Sequence, residues 1–249
     1  MRVIAVINQK GGVGKTTTCI SLAAELARLK KRVLLIDLDP QGNTTSGLGV
    51  QLDEQSVGVD DVLLGDKTIA EASIRIDESK FDLVAADSAL AGLDGTGVAS
   101  KHAMLLNTIK SLDGYDMVLI DCPPSLGLLS INALTAANEV IIPLQAEYYA
   151  LEGLSQLVGV VDRVKQSTNP SLRVSGLVLT MFDKRTTLAN DVAAQLDQHF
   201  GELVFETRIP RNVRLAEAPS HGLPIAVFDK WSKGARAYKS LAKEVVARG

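Results

Sequence analysis

Short apolar runs alternate with longer amphipathic stretches along the chain. The runs at residues 3–7, 33–37, 83–85, 117–121, 140–143 and 174–181 carry almost no charge before their last positions, as strands buried on both faces of a sheet do. Between them, segments 16–29, 102–111, 126–137, 151–166 and 188–199 repeat apolar residues at helical spacing. This alternation predicts βαβ units and a doubly wound, mostly parallel α/β sheet with helices on both faces. A last helix over 234–248 sets Ala235, Tyr238, Leu241, Ala242, Val245 and Val246 on one stripe, the pattern of a helix docked on the core. No repeat, low-complexity tract or linker breaks the pattern, so residues 1–249 are expected to form a single domain, with 92–97 as its loosest loop.

The joint after the first strand carries the sharpest chemistry. Residues 8–17 read Asn-Gln-Lys-Gly-Gly-Val-Gly-Lys-Thr-Thr: a glycine loop between a strand and a helix start. Gly11, Gly12 and Gly14 let the backbone turn its N–H groups inward toward phosphate oxygens, with Val13 and Thr17 in the same nucleotide-binding stretch. Lys15 stands where an ammonium reaches the β- and γ-phosphates, and Thr16 offers a hydroxyl to Mg²⁺. The general phosphate-loop motif wants glycine where this chain has Gln9, and a second lysine, Lys10, follows it.

Two apolar strands end in carboxylates. The run 33–37 closes on Asp37, followed by Leu38, Asp39, Pro40, Gln41 and Gly42. A hydrolase needs a carboxylate to position or activate the attacking water; Asp37 reads equally as a support for the loop. The run 117–121 closes on Asp121 before Cys122-Pro123-Pro124-Ser125, and a carboxylate at the carboxyl end of a parallel strand lies where ligands bind. This is the Walker B pattern, with Asp121 placed to hold Mg²⁺ through water.

Composition narrows the classes. Hydrophobic residues make up 46% and charged residues 22%, enough for a sizeable core. Aromatic residues are only 4%, which argues against stacking on single-stranded bases. Cys19 and Cys122 make no disulfide framework, Cys19 reads as a small core residue, and His102, His199 and His221 show no metal-ligand spacing. No secretory signal or membrane-length apolar stretch is visible, so a cytoplasmic protein is expected. The net charge of −3 divides unevenly: residues 1–162 hold 12 basic against 21 acidic residues, and 163–249 hold 14 against 8. A basic final third suggests a surface that faces a polyanion, or an ordinary solvated face.

Lys-Gly-Gly-Val-Gly-Lys-Thr-Thr resembles the deviant Walker A loop of the ParA/MinD ATPases. That resemblance implies that Lys10 crosses a nucleotide-sandwich homodimer to the partner's phosphates. It implies ATP and Mg²⁺ as ligands, with Lys10, Lys15 and Asp39 catalytic and Thr16, Asp39 and Asp121 around the metal. Residues 205–220 closely resemble the chromosomal ParA/Soj branch, where the matching stretch lies against adenine; this points to Pro210 and Asn212. The branch's non-specific DNA contacts match Arg185 and Arg214, each of which also reads as a surface ion-pair partner. The segment 145–153 matches the branch near its dimer face and carries no assigned chemistry. The implied partners are duplex DNA without base readout and a ParB-type centromere-binding protein, with nucleoid association and no membrane. The chain starts at the nucleotide strand, which leaves no expected helix-turn-helix ahead of it. A MinD-like membrane ATPase is the first rival, but it needs a bulky basic-apolar C-terminal helix where this chain has an Ala/Val/Leu stripe. A reductase of the nitrogenase-iron-protein type needs differently placed cysteines. A positioner of some other cargo stays open.

Overall fold

The computed structural model describes residues 1–53, 55–94, 101–148 and 150–249. In chain order these form β1 (Arg2–Val6), α1 (Lys15–Arg28), β2 (Val33–Asp37), α2 (Asn43–Gly47), α3 (Val59–Leu64), α4 (Ile69–Ala72), β3 (Ser73–Ile76), β4 (Phe81–Val84) and α5 (Leu90–Asp94). They continue with α6 (Met104–Lys110), β5 (Met117–Asp121), α7 (Leu128–Ala136), β6 (Glu139–Gln145), α8 (Ala150–Ser167), β7 (Arg173–Thr180) and α9 (Thr187–Phe200). The end of the chain holds α10 (Val213–Glu217), α11 (Ile225–Phe228) and α12 (Lys233–Ala247).

Among the described residues, seven strands make one sheet in the order β3-β4-β2-β5-β1-β6-β7. Only the β3–β4 pairing is antiparallel. The α/β class and parallel sheet expected from the sequence are therefore present. Side chains alternate across each strand, so each strand feeds two cores. Val3, Ala5, Leu34, Ile36, Val118 and Ile120 face one, built with α3, α6, α7, α8 and α9. Ile4, Val6, Val33, Leu35, Met117 and Leu119 face the other, under α1 and α12.

Helix α12 lies where its stripe predicted. Ala235, Tyr238, Leu241, Ala242 and Val245 are buried, and the Tyr238 hydroxyl is 3.0 Å from Thr18 Oγ1 on α1. Val246 is only half-buried. Residues 92–97 straddle the boundary of the described residues: Gly92 falls inside α5, and 95–97 lie outside them.

Beyond β7 the chain returns along its free edge. Phe205 N–H donates to Leu177 O at 2.9 Å and Ile209 N–H to Leu179 O at 2.8 Å. Gly176 makes this close approach feasible, because a Cβ there would lie 2.3 Å from the buried Phe205 ring. The Arg248 guanidinium lies over the ring, 4.1 Å from its centroid. Gly176→Ala is therefore expected to cost about 1–3 kcal/mol through overpacking, read as a lower urea midpoint at unchanged slope. An unchanged midpoint would contradict the close contact.

Candidate functional site

The carboxyl ends of the central strands lie level. In the pairing register Val6 and Asp37 both sit opposite Asp121. In the order of the sheet the connection after β1 runs to β2 on one side and the connection after its neighbour β6 runs to β7 on the other, so a crevice opens between β1 and β6. The glycine loop runs out of β1 into that crevice.

Gly12 and Gly14 adopt φ of 74° and 86°, which only glycine takes without strain, and Gly14 caps α1. The loop is pinned from the β6 and β7 side. Asn8 Nδ2 donates to Pro143 O at 2.7 Å, and its Oδ1 accepts the Lys10 N–H at 3.0 Å. Gln145 Nε2 donates to Gly12 O at 3.0 Å, and Thr180 Oγ1 donates to Val13 O at 2.7 Å. With two loop carbonyls held this way, the opposite side stays open: a Cβ at Gly11 or Gly12 would meet nothing within 4 Å. The open side has room for a bulky anion, and the 14-residue α1 begins at its floor with no acidic residue in the first turn.

The two lysines behave differently. Lys15 is buried, with Nζ 3.4 Å from Lys10 O. Lys10 reaches away from the loop into an ion pair with Glu147 of the same chain, both side chains half exposed.

Three carboxylates close the floor. Asp121 Oδ2 accepts from Thr16 Oγ1 at 2.8 Å and Thr44 Oγ1 at 2.7 Å, joining α1 to α2. Its Oδ1 is buried and has no N–H or O–H partner among the described residues. Burial raises Asp121 to about 6, with Asp39 adding repulsion. Asp37 is fully buried and rises to about 7, from burial first and then from Asp121. Its Oδ2 accepts both the N–H and the Oγ1–H of Thr45, at 2.9 and 2.8 Å, and its Oδ1 accepts the Asp39 N–H at 3.2 Å. Asp37 thus holds the loop that presents Asp39. Asp39 itself is 6% exposed and accepts the Gln41 N–H at 3.0 Å.

An unpartnered buried oxygen beside a threonine hydroxyl fits a divalent cation. Among the described residues, no three His, Cys, Asp or Glu side chains converge as a ready-made metal cage. Mg²⁺ needs none, since it takes one or two carboxylates together with waters and substrate phosphates.

A cavity of about 400 Å³ lies along the side of the loop. Gly14, Thr17, Thr180, Met181, Pro210 and Asn212 are among its lining residues. Asn212 Oδ1 is buried without a hydrogen-bond partner in the described structure, and Pro210 supplies a flat apolar wall. That combination suits a planar heterocycle with polar edges.

Arg185 and Arg214 lie outside this constellation and are exposed. Arg185 forks onto Asp183, with contacts of 2.9 and 2.7 Å that hold the Asp183 carboxyl down at about 2. Arg214 pairs with Glu217 at 2.9 Å and Asp229 at 3.4 Å. Asn8, Thr44, Gln145 and Thr180 are the site residues that motif reading missed. Gln145 and Thr180 are polar residues ending apolar strands at the ligand-facing edge, and that was their available signal. Cys19 and Cys122 are buried, and burial pushes both thiols up, away from reactive thiolates.

A family model described as an AAA domain matches residues 1–174. The chain is 52% identical to the chromosome-partitioning ATPase Soj of Thermus thermophilus, covering 100% of this chain and 96% of that one. It is 48% identical to the sporulation initiation inhibitor protein Soj of Bacillus subtilis, covering 100% and 99%. It is 45% identical to the chromosome partitioning protein ParA of Caulobacter vibrioides, covering 100% and 95%. Among solved structures, cobyrinic acid a,c-diamide synthase from Mycobacterium smegmatis with bound ADP and magnesium superposes with a TM-score of 0.85 at 40% identity, over 99% of this chain and 94% of that one. The septum site-determining protein MinD from Pyrococcus horikoshii, complexed with Mg-ADP, gives 0.78 at 27% identity, over 98% and 95%. With the glycine loop, the strand-end carboxylates and these relatives in agreement, the chain belongs to the ParA/Soj family of partitioning ATPases within the ParA/MinD group.

Proposed function

We propose that this protein is an ATP-driven DNA-partitioning switch, acting in the cytoplasm on the nucleoid. The observation that carries the reading is Asp121. One buried carboxylate takes hydroxyls from both Thr16 of the phosphate-loop helix and Thr44 of α2, with its second oxygen unpartnered.

In this reading the N–H groups of residues 10–17 and the Lys15 ammonium hold the nucleotide phosphates. Thr16, Asp39 and Asp121 hold Mg²⁺, which when bound neutralises charge on the phosphoryl oxygens. Pro210 and Asn212 face the base. Asp39 orients a water for in-line attack on the γ-phosphorus and accepts its proton as the bond to ADP breaks. Asp37 keeps that loop in place through Thr45.

ATP closes two copies of the chain face to face. Lys10 then exchanges Glu147 for the partner's phosphates, a small loss because exposed ion pairs are worth about 0–1 kcal/mol. The closed homodimer binds duplex DNA through phosphates, and hydrolysis, stimulated by a ParB-type partner, releases it. The single-domain reading of residues 1–249 goes with this. A membrane role has less support. The apolar stripe of α12 is buried against α1, and among the described residues no helix is long and apolar enough to cross a membrane.

Lys15→Ala is expected to weaken ATP binding roughly 100-fold, since hydrogen bonds to charged groups contribute about 1.5–3 kcal/mol. Isothermal titration checks this, and wild-type affinity would remove Lys15 from the phosphate site. Asp39→Ala is expected to retain ATP binding while turnover falls roughly 10²–10⁴-fold, trapping a dimer visible by light scattering. A monomer with ATP, or normal turnover, would contradict that role.

A further inference from the structure

A glycine loop can turn its peptides either way. Gly12 and Gly14 sit at φ of 74° and 86°, and a Cβ at Gly11 or Gly12 would meet nothing within 4 Å, so packing does not fix the peptides between them. Something outside the glycines has to choose which groups face the open side. A planar trans peptide makes that choice in pairs, because its C=O and its N–H point in opposite directions. Holding one carbonyl outward therefore aims the next residue's N–H inward.

Two side chains at the ends of neighbouring strands hold such carbonyls. Gln145, the last residue of β6, donates from Nε2 to Gly12 O at 3.0 Å, which turns the Val13 N–H toward the open side. Thr180, the last residue of β7, donates from Oγ1 to Val13 O at 2.7 Å, which turns the Gly14 N–H the same way. Neither N–H donates to an acceptor among the described residues. Both holding side chains are themselves fixed. Thr180 is buried, with its hydroxyl also 3.2 Å from Leu144 O. Gln145 Nε2 also lies 3.0 Å from Met181 Sδ, and because both of its partners are acceptors, only the NH₂ end of the amide serves them. Asn8 does the reverse at the start of the loop. Its Oδ1 takes the Lys10 N–H at 3.0 Å and so withholds that donor from the open side.

We propose that Gln145 and Thr180 are positioning residues for the nucleotide phosphates: each fixes one loop peptide so that the N–H groups of Val13 and Gly14 face the phosphate oxygens before the ligand arrives. The inference rests on the phosphate-site reading above and removes the Lys10 N–H from its donors. The Gln145 amide and the Thr180 hydroxyl act through the loop and not on the phosphates. Donors aimed in advance need no reorganisation when the anion binds.

The test compares Thr180→Val, Thr180→Ser and Gln145→Leu with the wild type. ATP with Mg²⁺ is titrated by calorimetry, and adenosine, which carries the base without phosphates, by saturation-transfer NMR. Thr180 also lines the base cavity, and valine keeps its shape there while removing the hydroxyl. Thr180→Val and Gln145→Leu are each expected to bind ATP roughly tenfold more weakly, the effect of one misaligned donor, with adenosine binding unchanged. Thr180→Ser, which keeps the hydroxyl, should bind ATP as the wild type does. Wild-type ATP affinity in Thr180→Val or Gln145→Leu would remove that residue from the role. Equal losses for ATP and adenosine, or a Thr180→Ser no better than Thr180→Val, would reduce the contacts to a structural role and overturn the proposal. A further measurement needs no variant. The Val13 and Gly14 amide protons of the wild type should move downfield in NMR spectra when ATP and Mg²⁺ are added, as protons bonded to phosphate oxygens do, and resonances that stay in place would overturn it. A wild type that binds ATP no better than adenosine would overturn the phosphate site itself, and the positioning role with it.

Discussion

The structure turns on the cost of burying carboxylates side by side. Asp37 and Asp121 face each other across β2 and β5, and Asp39 lies within electrostatic reach of Asp121. Burial and mutual repulsion hold Asp37 near 7 and Asp121 near 6, well above ordinary carboxylates. Hydroxyls from Thr16, Thr44 and Thr45 offset part of that cost. The remainder would be met by a cation at Asp121 Oδ1, delivered with phosphates that the glycine loop and Lys15 can hold. A ligand that relieves buried charge stabilises the folded chain by mass action. The same burial of charge thus couples the site to Mg²⁺ and nucleotide.

The fold supplies the geometry for this. A parallel sheet brings strand ends to one edge, and the diverging connections after β1 and β6 open the crevice between them. Helix α1 starts at the loop, contributes Thr16 to the carboxylate floor, and holds α12 through Thr18 and Tyr238. Residues 204–210 return along β7 and carry Pro210 to the cavity beside the glycine loop.

Much of this was legible in the sequence where one signal ran long enough. The strands 33–37 and 117–121 match β2 and β5, and the longer helices lie within two residues of their expected ends. Helices α2, α3, α4, α10 and α11 were not legible, because four to six residues complete too little of a helical repeat. Strand β3 has four residues, of which Arg75 is exposed, at an antiparallel edge. In the site, the glycines and strand-end aspartates announce themselves by spacing. Thr44, Gln145 and Thr180 act through distant partners, and no local pattern shows a hydroxyl meeting a carboxylate 77 residues away. For Asp37 the hydrogen bonds to Thr45 show the loop-holding contact, and Arg185 and Arg214 each sit in an exposed local ion pair, a contact too weak to exclude their DNA reading.

The most direct test is binding to duplex DNA and to anionic liposomes side by side, with ATP and Mg²⁺, with ATP and EDTA, with ADP, and with no nucleotide. A partitioning switch built on Asp121 and Lys15 binds DNA with ATP and Mg²⁺, loses it with EDTA or ADP, and ignores liposomes throughout. DNA affinity indifferent to nucleotide and metal, or ATP-dependent binding to liposomes in place of DNA, would contradict it.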